Sequence, residues 1–138
     1  MIERHLEHYH IKGDFSFKAT EDLMLKCNAP TNYSGIYLIY YLDTLIYVRS
    51  SGQKKDGILK TRKSGVGGMK DRIVNGYHPK FGKVKRKKIF PLKMQEFEFE
   101  ELKFKWFVTY DNVRFFDFPT DVESKVLANI KTRPIWHK

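Results

Sequence analysis

The sequence predicts one small domain of the α/β class, in its α+β form: a central, mainly antiparallel, three-stranded sheet flanked by helices. Three observations carry that expectation. Residues 34–51 hold two runs rich in Ile, Tyr and Val around a polar dipeptide, which reads as a tight β-hairpin. Residues 101–110 alternate apolar and polar with a period of two, the clearest strand in the chain. Residues 69–75 and those after Pro119 instead repeat apolar residues at three and four, the spacing of a helix face. A chain of 138 residues with 41% apolar content is long enough to build one core.

Residues 1–33 read as an N-terminal extension and 34–138 as the domain proper. In the extension, His5, His8 and His10 read as solvated side chains rather than ligands, with no carboxylate at a metal-binding spacing. Thr20 with Glu21-Asp22 marks a short helix start, and Pro30 should stop that helix. The hairpin follows, with Asp43-Thr44 as its turn and both strands apolar on both faces, as buried strands are. Tyr37 and Tyr47 would carry hydroxyls into the fold, and a buried phenol needs a partner.

From Gly52 to Gly68 the chain is a polar, basic, glycine-bearing loop with room for a small hairpin around Ile58-Leu59. Gly65-Val66-Gly67-Gly68 lacks the Gly-Lys-Ser/Thr ending of a nucleotide-binding P-loop. Met69 and Ile73 form the seam of a helix ending at Gly76, and Arg72 borders that seam. Residues 80–88 hold six basic residues in nine, read as a basic loop or strand edge. Pro91 suits the first turn of a short helix through Phe97. The final helix should start at a Thr120 N-cap, with Thr120-Asp121-Val122-Glu123 in the form of a capping box and Val122, Val126, Leu127 and Ile130 as its apolar stripe. Glu123 is then either a cap or a functional carboxylate leaning on the buried face.

Composition narrows the function classes. The net charge is +10, and Lys54–Lys93 carries 14 Lys and Arg against Asp56 and Asp71, a local balance of +12; the rest has 12 basic and 14 acidic residues, or −2. One segment therefore holds all the excess, the footprint of a polyanion-binding surface. Lys83, Lys85, Arg86, Lys87 and Lys88 are the expected phosphate contacts, giving affinity without sequence readout. Nothing approaches a membrane span, the N-terminus has no signal-peptide core, and the single Cys27 fits a reducing cytoplasm as a structural cysteine.

Gly35-Ile36-Tyr37, Tyr47-Val48-Arg49 with Ser51, the helix around Arg72, Glu123-Ser124-Lys125-Val126-Leu127 and Pro134-Ile135-Trp136 occur in an order that resembles the GIY-YIG nucleases. The resemblance covers Gly35 to His137. It departs at Arg49, where that family has glycine, and at His137, where the tail often ends in asparagine. It implies a divalent-metal-dependent endonuclease acting on DNA, most naturally duplex, with Mg²⁺ (or Mn²⁺) held by Glu123. Arg72 would bind the scissile phosphate, with Arg62 as the competing candidate. Tyr37 or Tyr47 would position and deprotonate the attacking water, and His78 would help. Arg49 either blocks the groove or adds a phosphate contact. The alternative is a nucleic-acid-binding module that keeps this scaffold without the chemistry.

Overall fold

The computed structural model describes residues 2–55, 58–60, 68–78, 80–111, 113–130 and 133–137. Its centre is a four-stranded sheet, every neighbouring pair antiparallel, built from β1 (Lys12–Lys18), β2 (Ser34–Tyr41), β3 (Thr44–Ser50) and, after a two-stranded ribbon of β4 (Gln53–Lys55) and β5 (Ile58–Lys60), β6 (Glu101–Tyr110). The strand order is β1-β6-β2-β3. The helices are α1 (Leu23–Lys26), α2 (Gly68–Asn75), α3 (Arg86–Phe97) and α4 (Pro119–Ala128), with 3-10 turns at Ile2–Leu6 and Ile135–His137.

The fourth strand corrects the expectation of three. Lys12–Lys18 pairs along β6, with Phe15 opposite Phe104 and Phe17 opposite Leu102. Phe15 and Phe17 alternate into the core, but two apolar residues are a short signal, and the stretch reads as part of an extension. Leu6 and Tyr9 are also buried, and the Tyr9 hydroxyl donates to Asp117 Oδ2 at 2.6 Å. Leu6, Tyr9 and β1 thus pack into the domain although they lie in the stretch read as an extension.

The sheet separates two apolar clusters. On one face Tyr37, Ile39, Phe104 and Trp106 meet α2, α3 and the C-terminal turn; on the other Ile36, Leu38, Val48 and Phe107 meet Val122 and Val126 of α4. The hairpin turns at Leu42-Asp43, one residue earlier than expected, because Tyr41 pairs with Thr44. Leu42 takes φ 54°, a left-handed conformation that is costly for leucine. Gly35, second in β2, stands where only glycine fits, since a Cβ there would overlap the Phe107 carbonyl oxygen.

Pro91 lies inside α3 rather than in its first turn, because the helix begins five residues earlier at Arg86. The short α1 is capped by the Asp22 carboxylate, which accepts from the Met24 N–H, not by Thr20. Trp136 seals the α2/α3 face: it is fully buried among Phe81, Phe90, Phe97 and Phe99, with ring centroids 5.3–6.1 Å away. Trp136→Ala should therefore cost about 3–5 kcal/mol of stability. Urea unfolding measures this, with Leu92→Ala on the exposed side of α3 as a near-neutral control. A loss below about 1 kcal/mol would show that the tail does not close this core.

Candidate active site

Strand alternation from a two-residue turn would send Tyr37 and Tyr47 to different surroundings; a bulge brings them together. Ile39 pairs with Tyr47 and Tyr40 with Leu45, so Ile46 is the extra residue in β3. That insertion re-aims Tyr47 onto the face that carries Tyr37. The two rings meet edge to face at 6.3 Å and 62°. Both side chains are buried, and the Tyr37 hydroxyl has no hydrogen-bond partner among the described residues.

Arg86 lies with them. Its guanidinium carbon is 6.0 Å from the Tyr37 ring centre and 5.9 Å from that of Tyr47. Nη1 donates to the Arg72 carbonyl at 2.6 Å, and Nη2 to the Tyr47 hydroxyl at 3.4 Å. Gly76 makes room: a Cβ there would overlap both Nη1 and the Arg72 carbonyl oxygen. The Gly76 carbonyl also accepts the Arg86 backbone N–H at 2.9 Å.

This overturns the reading of Arg86 as a surface phosphate contact. Arg86 is 0% exposed, whereas Lys83, Lys85 and Lys88 are exposed and Lys87 is half-buried. The physical reason is helical period. Residues 86–88 open α3, and Arg86, Phe90 and Met94 fall on one inward stripe at intervals of four. That spacing is visible in the sequence, but six cations in nine residues obscure it.

His78 is 2% exposed and sandwiched between Tyr47 and Phe81, with ring centroids at 4.5 and 3.9 Å. Its Nδ1 accepts the Lys80 N–H at 3.1 Å, which assigns the proton of the neutral ring to Nε2. The half-buried Arg72 sits on α2, whose first turn is tied to the chain before the hairpin by Met69 N–H to Tyr33 O (3.1 Å) and Lys70 N–H to Pro30 O (3.0 Å). Arg62, the competing candidate, lies outside the described residues.

Arg49 stands directly opposite Tyr37 across the hairpin. Its Nη1 is 3.8 Å from Oε2 of Glu123, whose side chain is only 13% exposed. Glu123 does not belong to a capping box. Pro119 takes the first helical position with Phe118 as N-cap, no side chain caps the helix, and Glu123 lies in the second turn. With the capping role gone, the carboxylate is left facing the Arg49 guanidinium.

No group of three or more His, Cys, Asp or Glu converges among the described residues. Mg²⁺ or Mn²⁺ that keeps most of its waters needs only one or two carboxylates, so Glu123 fits such an ion in kind, with Arg49 as its rival. His5, His8 and His10 bring no further ligand set; His10 Nε2 lies 3.0 Å from Arg114 Nη1. Cys27 is buried and its thiol is pushed up to about 11, chiefly by burial, which leaves it unreactive. Among the described residues no helix is long and apolar enough to cross a membrane. Comparison with protein-family models, with characterised proteins and with solved structures gives no match.

Burial is the main force on Tyr37 and pushes its phenol from 10.0 to about 12. Arg86 pulls against it, Tyr47 adds to the rise, and Arg72 and Arg49 pull it down. Because the folded phenol holds its proton longer than the unfolded one, its contribution is complete below about pH 10. It is lost as pH rises from there to about 12. In urea titrations the wild type should lose about 2–3 kcal/mol more than Tyr37→Phe over that interval. Parallel curves for the two proteins would place the Tyr37 hydroxyl in solvent.

Proposed function

We propose that this protein is a GIY-YIG-type endonuclease that hydrolyses phosphodiester bonds in duplex DNA. One observation carries the reading: residues far apart in sequence form a connected series, Tyr37 against Tyr47, Arg86 joining Tyr47 to Arg72, and Arg49 joining the Tyr37 position to Glu123. An ordinary hydrophobic core has no need of three guanidiniums near two phenols and a half-buried carboxylate.

In this reading Arg72 presents its planar guanidinium to the scissile phosphate. Arg49 holds Glu123 in the free protein and releases it as DNA enters, so that cleavage does not depend on the guanidinium. Glu123 would hold Mg²⁺ or Mn²⁺, which when bound supplies neutralisation of phosphoryl charge and a more acidic water. Tyr37 keeps its proton at neutral pH and so serves by donating a hydrogen bond. Tyr47, with His78 stacked against it, would orient the attacking water by a hydrogen bond, and the proton of that water passes to solvent. The exposed Lys83, Lys85 and Lys88, with Lys87, would lie along the DNA backbone.

A second reading has its own support. The Tyr37 hydroxyl is buried and Arg49 already neutralises Glu123, as in a binding module without chemistry. Supercoiled plasmid separates the two. On the nuclease reading the wild type nicks plasmid only with Mg²⁺ or Mn²⁺, Glu123→Gln loses at least about 100-fold in rate with DNA affinity retained, and Arg49→Gly folds and cuts at least as fast. Binding without cleavage by the wild type and by Arg49→Gly would establish the binding module. Replacing Lys83, Lys85, Lys87 and Lys88 by Ala should weaken all duplex sequences alike. It should also lower the slope of log affinity against log salt by about one for each phosphate left without its lysine. An unchanged slope would remove this segment from the interface.

A further inference from the structure

The buried Arg86 belongs to the connected series of the site but has been given no role in the reaction. Its guanidinium joins two groups that the fold brings from separate elements. Nη2 holds the hydroxyl of Tyr47 on β3, and Nη1 holds the carbonyl of Arg72 on α2. Its own backbone is fixed to Gly76, just past the end of α2, where glycine alone leaves space for the guanidinium. The two tyrosine rings lie at nearly equal distance from its charge. Nε has no hydrogen-bond partner among the described residues, so the arrangement is aimed at two acceptors rather than built to satisfy the arginine.

A fully buried cation held by a carbonyl and a phenol is a poor device for cohesion, since an apolar side chain of similar volume would fill the space without desolvating a charge. It is a good device for registration. The guanidinium is planar and its donors point in fixed directions, so the Tyr47 hydroxyl and the helix bearing Arg72 are set relative to one another through one rigid group. Resting on the nuclease reading, we infer that Arg86 is a positioning residue: it sets the Tyr47 hydroxyl against Arg72 for the reaction and does not touch DNA.

Lysine at this position keeps the charge and most of the volume but replaces the planar fork with a single ammonium. The test compares wild type, Arg86→Lys and Tyr47→Phe, with urea unfolding to verify that each folds. Readouts are plasmid cleavage, DNA affinity with its salt slope, and the tyrosine ring ¹³Cζ resonances at neutral pH, Tyr47 being assigned by its absence in Tyr47→Phe. Arg86→Lys should lower kcat by about 10- to 100-fold with KM, DNA affinity and salt slope unchanged, and should move the Tyr47 resonance. Wild-type kcat with an unmoved Tyr47 resonance would overturn the inference, and so would a fall in affinity and salt slope, which would make Arg86 a phosphate contact. If Arg86→Lys does not fold, Gly76→Ala, which crowds the same guanidinium, must shift the Tyr47 resonance, and an unmoved signal overturns the inference. If the wild type cuts no DNA, the nuclease reading fails. The Tyr47 resonance then decides separately whether Arg86 holds that hydroxyl.

Discussion

A guanidinium buried beneath two tyrosines is the constraint around which this chain is arranged. Desolvating one cation costs several kcal/mol even after relaxation. Against that stand hydrogen bonds from a charged donor, about 1.5–3 kcal/mol for a good one, and cation–π attraction of about 0.5–2 kcal/mol per ring. At 3.4 Å the bond to Tyr47 falls short of the best, and both ring distances lie near the outer limit for such contacts. The balance is close to zero, so Arg86 is not retained for stability alone. It does constrain its neighbours: glycine at position 76, the entry of α3, and the face onto which Tyr47 points.

The other elements follow from keeping that group dry. The Ile46 bulge places Tyr47 beside Tyr37. The Arg86-Phe90-Met94 stripe lays α3 against the sheet, and Trp136 closes the remaining gap with four phenylalanines around it. On the opposite face α4 is anchored by Val122 and Val126 with Leu127 packed beside them, and Glu123 leans toward the hairpin edge to meet Arg49. The lysines and the buried arginine of the same basic run differ in exposure because Lys83 and Lys85 precede α3, while Lys87 and Lys88 lie on other sides of the first turn that Arg86 opens.

Much of this is legible in the residues. The hairpin shows as two dense apolar runs, and β6, α2 and the body of α4 show as periodic apolar positions, which places them within a residue or two. What stays hidden is local signal beneath a louder one. Phe15-Ser16-Phe17 is a two-residue alternation inside a charged N-terminal stretch, and its strand character comes from pairing with β6 rather than from propensity. Thr120 fits a capping box on paper, but Pro119 is better suited to the first helical position and moves the N-cap back two residues, to Phe118. At the site, Tyr37, Tyr47, Arg72 and Glu123 can be named because their motifs occur in an order that resembles the GIY-YIG nucleases; Arg72 by itself reads as a solvated helix arginine. Arg86 cannot be named, because its neighbours are cations and the i, i+4 partners that reveal it lie further along. Nor does any sequence pattern announce that Arg49 will face Tyr37 and touch Glu123; that depends on the bulge register.

The position of one side chain is therefore decisive, and solvent exchange of arginine Nε–H protons reports it directly. In protein labelled with ¹⁵N at arginine, the Arg86 Nε–H should persist as pH is raised through the neutral range, while that of the exposed Arg114 exchanges away. Exchange of Arg86 as fast as that of Arg114 would contradict the account, returning Arg86 to the basic surface and away from the Tyr47 hydroxyl.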